Sequence, residues 1–306
     1  MNYEKIHFLV NPTSGGGIVG KRWAGIQHYL EAKVGSFSYE FSSARGHAKE
    51  LAFLAGRNQV EKIVVIGGDG TISEVVTGIK ASGNQNVTIG ILNLGTGGDF
   101  CRTLGVPGDI ELAIEKILHG KTIEVDLGVI TYFNHQGKVE ERNFINITGC
   151  GMSGVVVRTI NQSKKRFGGF SYYLASLQNF FSYKNQKVKL YLDDQEPKSF
   201  QIVTLAICNG QYFGGGMNIS PQSKLTDGLF HVVVIDNWNH LQKIIYSSKL
   251  YNGSILTAPN VHCFTAKRVK VLPEAENEVL IDNDGEDIGK IPLEASIIPK
   301  AVKFFI

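Results

Sequence analysis

The sequence predicts two domains: an α/β N-terminal domain with a parallel, Rossmann-like sheet, and a mainly antiparallel β-sandwich C-terminal domain. Strand-type and helix-type apolar patterns alternate up to about residue 125, which is typical of a parallel sheet covered by helices. Three of the early strands end in glycine-rich loops. Beyond that point, short strand-like segments follow one another with turns between them, which favours an antiparallel sandwich or barrel.

The alternating patterns give the elements of the first domain in order. The run Val64-Val65-Ile66 is β-branched and predicts a buried strand, and the apolar pattern of each other segment predicts its strand or helix in the same way. Strands are predicted near 5–10, 36–41, 61–66 and 87–92, and helices near 20–32, 46–56, 71–81 and 109–119. The domain is predicted to cover residues 1–127.

Residues 128–299 are predicted to form the second domain, because hairpin signals replace the alternation. Polar turns such as Asp193-Asp194-Gln195-Glu196-Pro197 separate its strand-like segments, and two helices interrupt them near 169–183 and 238–251. The apolar segment 300–306 is expected to return to the first domain. The active site is expected in the cleft between the domains.

Composition narrows the class of protein. With 306 residues, 43% hydrophobic and 19% charged, the chain is an ordinary globular protein, and no apolar stretch approaches the length of a membrane span. The four cysteines are widely spaced, which fits buried thiols in a reducing, cytoplasmic compartment. A net charge of +3 is too small to argue for a nucleic acid partner.

The most informative motif is the loop Gly67-Gly68-Asp69-Gly70-Thr71, which follows a predicted strand. Its glycines permit a tight turn and let a ligand approach the backbone, and Thr71 with Glu74 predicts a capping box at a helix start. Such a helix N-terminus binds phosphate groups. Because the carboxylate of Asp69 would repel a phosphate, the motif predicts a divalent cation between them.

Two more loops of the same kind are expected at the same sheet edge. One is Asn11-Pro12-Thr13-Ser14-Gly15-Gly16-Gly17, and the other is Asn93-Leu94-Gly95-Thr96-Gly97-Gly98-Asp99-Phe100. Open α/β sheets bind ligands at the carboxyl ends of their strands. None of the loops has the lysine of a Walker A motif or the spacing of a dinucleotide fingerprint.

These loops resemble the diacylglycerol kinase catalytic domain family, which includes bacterial lipid kinases and the sphingosine and ceramide kinases. The resemblance continues through Phe167-Gly168-Gly169-Phe170-Ser171-Tyr172-Tyr173, Lys224-Leu225-Thr226-Asp227-Gly228-Leu229 and Asp284-Gly285-Glu286, and so covers nearly the whole chain. One position departs from the family pattern: Gly98 stands where an Asn usually precedes the Asp of the third loop.

The resemblance implies an ATP-dependent lipid kinase that transfers the γ-phosphoryl group to a lipid hydroxyl, with Mg²⁺ as cofactor. The implied ATP contacts are Asn11, Pro12, Thr13, Ser14, Gly15, Ser42 (or its neighbour Ser43), Gly67, Gly68, Asp69, Gly70, Thr71, Glu74, Gly95 and Thr96. Asp69 and Asp99 are natural holders of the catalytic Mg²⁺, which binds few protein carboxylates and keeps several waters.

The second domain is implied to supply the base and a further metal site. Glu286 is implied to accept the proton of the lipid hydroxyl, with Asp284 or Asp282 as the alternative base in the same turn. Asp227, with the carbonyls of Lys224 and Leu229, resembles the family's second, structural Mg²⁺ site.

Two other functions stay open at this point. NAD kinases share the Gly-Gly-Asp-Gly-Thr loop, although the Asp-Gly-Glu turn favours a lipid kinase, and a non-catalytic nucleotide- or lipid-binding regulator could use the same scaffold. The expected partners are a lipid substrate and, transiently, the inner membrane surface. For the latter, Lys164-Lys165-Arg166 precedes an aromatic stripe in 164–183. A homodimer is also left open.

Overall fold

The computed structural model describes residues 6–162, 183–274 and 278–306. The helix predicted near 169–183, and with it almost all of the basic and aromatic 164–183 segment, lies outside the described residues. The chain divides into two compact units, Met1–Leu127 with Pro299–Ile306, and Gly128–Ile298. The predicted division also placed its boundary after Leu127 and returned the C-terminal segment to the first unit.

Unit 1 is built on parallel strands with helices between them. Its elements are β1 (Ile6–Val10), α1 (Ser14–Val34), β2 (Ser38–Phe41), α2 (His47–Arg57), β3 (Lys62–Gly67), α3 (Asp69–Ser82), β4 (Thr88–Asn93), α4 (Asp99–Leu104) and α5 (Ile110–His119). Strand β1 pairs in parallel with β2 and β3, and β3 pairs in parallel with β4. The predicted α/β pattern is therefore confirmed for these strands.

The Rossmann-like part of the prediction needs correction. The order β2-β1-β3-β4 continues not into a further βα unit but into the C-terminal residues Lys303 and Phe304 of β16 (Glu286–Phe305), which pair in parallel with β4. This is the 2-1-3-4-5 order, not the 3-2-1-4-5-6 order of a dinucleotide-binding sheet. Because β16 also pairs with antiparallel strands, fourteen of the described strands form one mixed sheet, and β10 and β11 pair only with each other.

Unit 2 is mainly antiparallel, as predicted. Besides the shared β5 (Thr122–Asn134) and β16, it contains β6 (Val139–Phe144), β7 (Ile147–Gly151), α6 (Met152–Gln162), β8 (Gln186–Leu192), β9 (Lys198–Cys208), β10 (Tyr212–Phe213), β11 (Met217–Asn218), β12 (Phe230–Asp236), α7 (His240–Ser247), β13 (Val261–Ala266), β14 (Arg268–Pro273) and β15 (Leu280–Asn283). The pairs β9-β7-β15-β16-β14-β8-β9 close a ring, so the strand pairing is that of a barrel rather than of two open sheets.

Buried apolar side chains hold each unit together. In unit 1, Phe8, Val10, Val64 and Ile66 of the central strands pack against the helices. In unit 2 one cluster fills the ring of strands and a second, which includes Trp238, lies under α7. Burying such side chains is the main source of folding free energy. Among the cysteines, Cys101, Cys150 and Cys208 are buried free thiols.

Candidate active site

The first glycine loop is joined to the second by a side-chain hydrogen bond, and two more hydrogen bonds fix its own start. The Asn11 amide donates to Thr71 Oγ1 at 2.9 Å, and Asn11 Oδ1 accepts from the backbone N–H and the hydroxyl of Thr13 at 3.0 and 2.8 Å. The loop then passes through three residues with positive φ, Gly15–Gly17, at 62°, 70° and 88°. That region is costly for residues with a Cβ, which explains the run of glycines.

The three loops touch backbone to backbone, and glycine makes this possible. A methyl group at Gly95 would lie 2.5 Å from Cα of Gly68, and one at Gly15 would lie 2.7 Å from the carbonyl oxygen of Leu94. The predicted convergence of the loops at one edge of the sheet is thus what the structure has. Backbone this close to the surface, without side chains in front of it, is suited to holding a polyphosphate.

Asp69 stands at the start of α3, where it holds the third loop. Its Oδ2 accepts the N–H of Asp99 at 3.0 Å and its Oδ1 accepts that of Phe100 at 3.3 Å, so this carboxylate caps α4. Burial raises the pKa of Asp69, and the nearby charge of Asp99 acts in the same direction, against the backbone hydrogen bonds. A cation beside Asp69 would favour its charged form.

Asp99 is largely buried and faces a cation of the protein. Its Oδ1 lies 2.7 Å from a guanidinium nitrogen of Arg102, which also donates to the carbonyl of Gly97 at 2.8 Å. Sequence reasoning gave Arg102 no role. Two neighbouring carboxylates form a donor set that fits Mg²⁺ bound chiefly by phosphates and water. The described residues hold no group of three or more His, Cys, Asp or Glu side chains arranged for a metal.

At position 98, where the family pattern has an Asn, the space that a Cβ would need is occupied. Gly98 has a φ of 71°, and a Cβ there would run into the side-chain amide of Asn93. Asn93 Oδ1 in turn accepts the N–H of Gly95 at 3.3 Å. In this chain Asn93 therefore supplies an amide group at the place where a side chain of residue 98 would begin.

Two other predicted ATP contacts have structural partners. Glu74 does not form the predicted capping box with Thr71: α3 begins at Asp69, and the Glu74 carboxylate accepts the N–H groups of Gly46 and Ala48 at 2.8 and 3.2 Å. Glu74 thus stabilises the start of α2. Ser42 is buried, and its N–H donates to the carbonyl of Val10 at the end of β1.

The Asp284-Gly285-Glu286 turn connects β15 to β16, and Asp284 anchors it. Asp284 Oδ2 accepts the N–H of Ile145 at 2.9 Å, and its Oδ1 accepts those of Asn146 and Ile147, each at 3.1 Å. Asp284 also has a φ of 48°. A carboxylate engaged by three backbone donors is suited to fixing the turn rather than to taking up a proton.

Glu286 is half-buried and forms an ion pair with Arg142 of β6, Oε2 to guanidinium nitrogen at 2.7 Å. Arg142 has no sequence signal, since it lies 144 residues away. The third acid of the turn, Asp282, is buried, and burial raises its pKa to about 7, although the N–H of Gly285 donates to it.

The predicted second metal site lies in the turn before β12. Asp227 Oδ1 accepts the N–H of Leu229 at 3.1 Å, and its Oδ2 lies 3.5 Å from Nε2 of His231, which sequence reasoning missed. The carboxylate and the carbonyls of Lys224 and Leu229 are all oxygen donors of the kind Mg²⁺ prefers.

Comparison with known proteins identifies the family. The diacylglycerol kinase catalytic domain model matches residues 5–130, and the YegS C-terminal NAD kinase beta sandwich-like domain model matches residues 146–306. The chain belongs to the family of diacylglycerol kinases and YegS-like lipid kinases. It is an enzyme, an ATP-dependent lipid kinase, so the regulator alternative is wrong.

Relatives of this lipid kinase match it over most of their length. A diacylglycerol kinase of Bacillus subtilis (strain 168) is 28% identical over 95% of this chain and 92% of its own. A protein of Yersinia pestis (strain Pestoides F) named as a probable lipid kinase, YegS-like, is 28% identical over 87% of this chain and 84% of its own.

Solved structures share the fold. A crystal structure from Bacillus anthracis str. Sterne, assigned to a diacylglycerol kinase, has a TM-score of 0.78 at 25% identity and covers 100% of this chain and 96% of its own. Yeast NADH kinase complexed with NADH covers 99% of this chain and 83% of its own, at a TM-score of 0.53 and 10% identity, which shows a shared fold alone. The NAD kinase alternative is not favoured. Within the described part of the lipid kinase, no helix is long and apolar enough to cross a bilayer.

Proposed function

We propose that this lipid kinase phosphorylates the free hydroxyl of diacylglycerol or a closely related lipid. The observation that carries the proposal is the similarity to the diacylglycerol kinase of Bacillus subtilis (strain 168) over 95% of the chain. In the reaction the lipid hydroxyl oxygen forms a bond to the γ-phosphorus of ATP, the bond to the β–γ bridging oxygen breaks, and ADP leaves. The hydroxyl proton passes to a carboxylate.

The packed loops of unit 1 are proposed to bind ATP. Gly15–Gly17, Gly67 to Thr71 and Gly95 to Thr96 offer backbone to the phosphates, and helix α3 points its N-terminus at the same place. Mg²⁺ bound with the nucleotide, beside Asp69 and Asp99, would neutralise charge on the phosphates as the transfer proceeds. Glu74 contributes by keeping α2 in position.

Glu286 is the proposed proton acceptor. It is half-buried, and the Arg142 guanidinium, 2.7 Å from one of its oxygens, orients the side chain. Asp284 is engaged by three backbone donors and Asp282 is buried, so both are less suited to exchange a proton with a lipid.

A lipid panel tests this function. Purified enzyme with γ-labelled ATP and Mg²⁺ would be offered diacylglycerol, phosphatidylglycerol, a sphingoid base and ceramide in mixed micelles. Labelled phosphatidic acid from diacylglycerol is the expected product. Labelling of another lipid in the panel, with none on diacylglycerol, would contradict the proposed substrate.

Asp227 with the Lys224 and Leu229 carbonyls is the proposed structural Mg²⁺ site. We expect Mg²⁺ to raise the melting temperature of the wild type, measured by calorimetry without nucleotide, because a ligand that binds only the folded state stabilises it. Asp227→Ala should lose most of this rise. An equal rise in both proteins would contradict the site, and Asp194→Ala, which removes another exposed acid of unit 2, serves as control.

Contact with the membrane surface is also a proposal, since the substrate resides in a bilayer. The basic and aromatic composition of the 164–183 segment supports it. The proposed location is the cytoplasm, with peripheral attachment to the inner face of the membrane. A homodimer is compatible with this proposal.

A further inference from the structure

Helix α7 and the turn after it carry a cluster of exposed apolar side chains. The α7 face comprises Leu241, Ile244, Ile245 and Tyr251, whose exposures are 64%, 53%, 52% and 66%. The three helix residues are spaced i, i+3, i+4 and so lie on one side of the helix. Single exposed apolar residues need no explanation, but a contiguous group of them indicates a site of interaction.

The opposite side of α7 is fixed to the unit 2 core. A capping box between Asn239 and Gln242 closes its N-terminus, and the ring of Tyr246 packs against Trp238 at 5.4 Å. The buried Lys243 donates a 2.8 Å hydrogen bond to the carbonyl of Tyr183. Helix α7 is therefore anchored rigidly on one side, and the α7 face is exposed on the other.

The charges around this face fit an anionic lipid surface. Residues 237–273 contain no Asp or Glu, whereas they contain Lys249, Lys267, Arg268 and Lys270 besides the buried Lys243. Arg268 and Lys270 pair with acids elsewhere in unit 2, and Lys249, four residues after Ile245, donates to Thr257. The segment therefore carries no acidic residue that would repel lipid phosphates, and the basic residue Lys249 lies between Ile245 and Tyr251 of the α7 face in the sequence.

We propose that the α7 face inserts among the headgroups of the bilayer that contains the lipid substrate. An amphipathic helix of this kind lies in the membrane interface with its apolar side down, and a few apolar residues give reversible attachment. The inference rests on the proposed function only in that the substrate is a bilayer lipid. It assigns to unit 2 a membrane contact made by Leu241, Ile244, Ile245 and Tyr251, none of which belongs to the 164–183 segment.

Vesicle sedimentation tests the proposal without catalysis. The full chain would be mixed with extruded phosphatidylcholine vesicles containing 30 mol% phosphatidylglycerol, without ATP, at about 0.05 and about 0.5 M salt, which screen charges to different extents. Losing a Leu or Ile contact with lipid lowers partitioning about tenfold, so Leu241→Ser/Ile245→Ser should lower it at least tenfold at both salt concentrations.

Matched variants distinguish binding through the α7 face from binding through other exposed leucines, through the cations at 164–166, or through self-association. Leu54→Ser/Leu112→Ser removes two exposed leucines from unit 1 and should leave partitioning unchanged. The proposal is overturned by any of three results: unchanged partitioning of the α7 variant, an equal fall in the control, or a fall only in Lys164→Gln/Lys165→Gln/Arg166→Gln. It is equally overturned if the α7 variant alters only self-association in analytical ultracentrifugation, since a second copy would then cover the face.

A kinase assay separates this inference from the proposed substrate. With short-chain diacylglycerol dispersed as monomers, the α7 variant should retain wild-type turnover, whereas with diacylglycerol in the vesicles it should lose most of it. Suppose that neither the wild type nor the α7 variant phosphorylates diacylglycerol, but that only the α7 variant loses vesicle binding. The substrate proposal then fails, and the proposed membrane contact stands.

Discussion

Asp282 is an ionisable side chain in a place that disfavours its charge. It is buried, and burial raises its pKa to about 7, with the charge of Asp284 adding to the effect. The folded protein therefore holds a proton on Asp282 between the unfolded pKa of about 3.8 and pH 7, where the unfolded chain has lost it. Stability contributed by this residue is complete below that window and falls as the pH rises through it.

Asp282→Asn should remove this pH dependence. At pH 8 the variant should be more stable than the wild type, by up to about 4 kcal/mol, because the wild type then contains a buried charge; at pH 4 the two should be similar. Urea unfolding at several pH values measures the difference. Asp194→Asn, at an exposed position, should run parallel to the wild type. A wild-type–variant difference that did not change with pH would contradict the prediction.

Glu286→Gln should separate chemistry from binding. Gln keeps the size of Glu286 and can still accept the Arg142 hydrogen bond, but it cannot take up a proton, so kcat should fall about 10²–10⁴-fold with little change in melting temperature or ATP affinity. The lipid phosphorylation assay, calorimetry and ATP titration measure these quantities.

Asp284→Asn is the informative comparison for Glu286→Gln. An amide at position 284 would present N–H groups to some of the three backbone donors of 145–147, so this variant should lose stability as well as activity. If Glu286→Gln retained its turnover while a fully folded Asp284→Asn lost it, Asp284 would be the base.

At the scale of elements, the loops of unit 1 depend on backbone contacts. Gly95→Ala should weaken ATP binding and lower the free energy of unfolding by about 1–3 kcal/mol. The new methyl group would collide with the backbone of Gly68, and Gly68 cannot move without displacing α3. Gly25→Ala, in the middle of α1 with open space around it, should be neutral or stabilising by about 1 kcal/mol. Nucleotide titration and urea unfolding of both variants would show the contrast, and equal behaviour would refute it.

The elements that the sequence predicted well are those with a local signal. Apolar period and glycine punctuation located β1, β3, β4 and the loops after them to within a residue or two. Helix α6 was missed, because its Val155-Val156-Val157 run has the composition of a strand. Residues 142–148 have the composition of a single strand, but the structure breaks it between β6 and β7, where backbone N–H groups donate to Asp284.

The hydrogen-bond and ion-pair partners of the site residues could not be predicted from the sequence, because they come from distant parts of the chain. Glu74 could be paired from the sequence only with its neighbour Thr71, yet its partners are 26 and 28 residues away. Likewise, no local sequence pattern indicates that Arg142 pairs with Glu286 or that Asp69 caps α4. Residue types and spacing predict candidate groups for the chemistry, whereas the hydrogen-bond and ion-pair partners of those groups depend on how distant segments pack.

At the scale of the whole molecule, the last residues of the chain complete the unit that begins it. Lys303 and Phe304 pair with Thr88 and Ile89 of β4, and the buried ring of Phe304 packs against that of Phe100 at 5.3 Å between centroids. The N–H of Phe100 donates to Asp69. The C-terminal strand therefore supports both the edge of the parallel sheet and the helix that Asp69 caps.

Phe304→Ala should accordingly weaken the sheet and the ATP site together. Removing a fully buried phenyl ring costs about 3–5 kcal/mol of unfolding free energy, and ATP affinity should fall because α4 loses its support. Hydrogen exchange should show faster exchange of the β4 and α4 amides than in the wild type. Phe41→Ala, at an exposed phenylalanine of the edge strand β2, should cost far less and leave those amides protected. A phenyl ring that fills a core leaves a cavity when it is removed. If Phe304→Ala lowered the free energy of unfolding by less than about 1 kcal/mol and the β4 and α4 amides kept wild-type protection, the C-terminal strand would therefore be dispensable to the site.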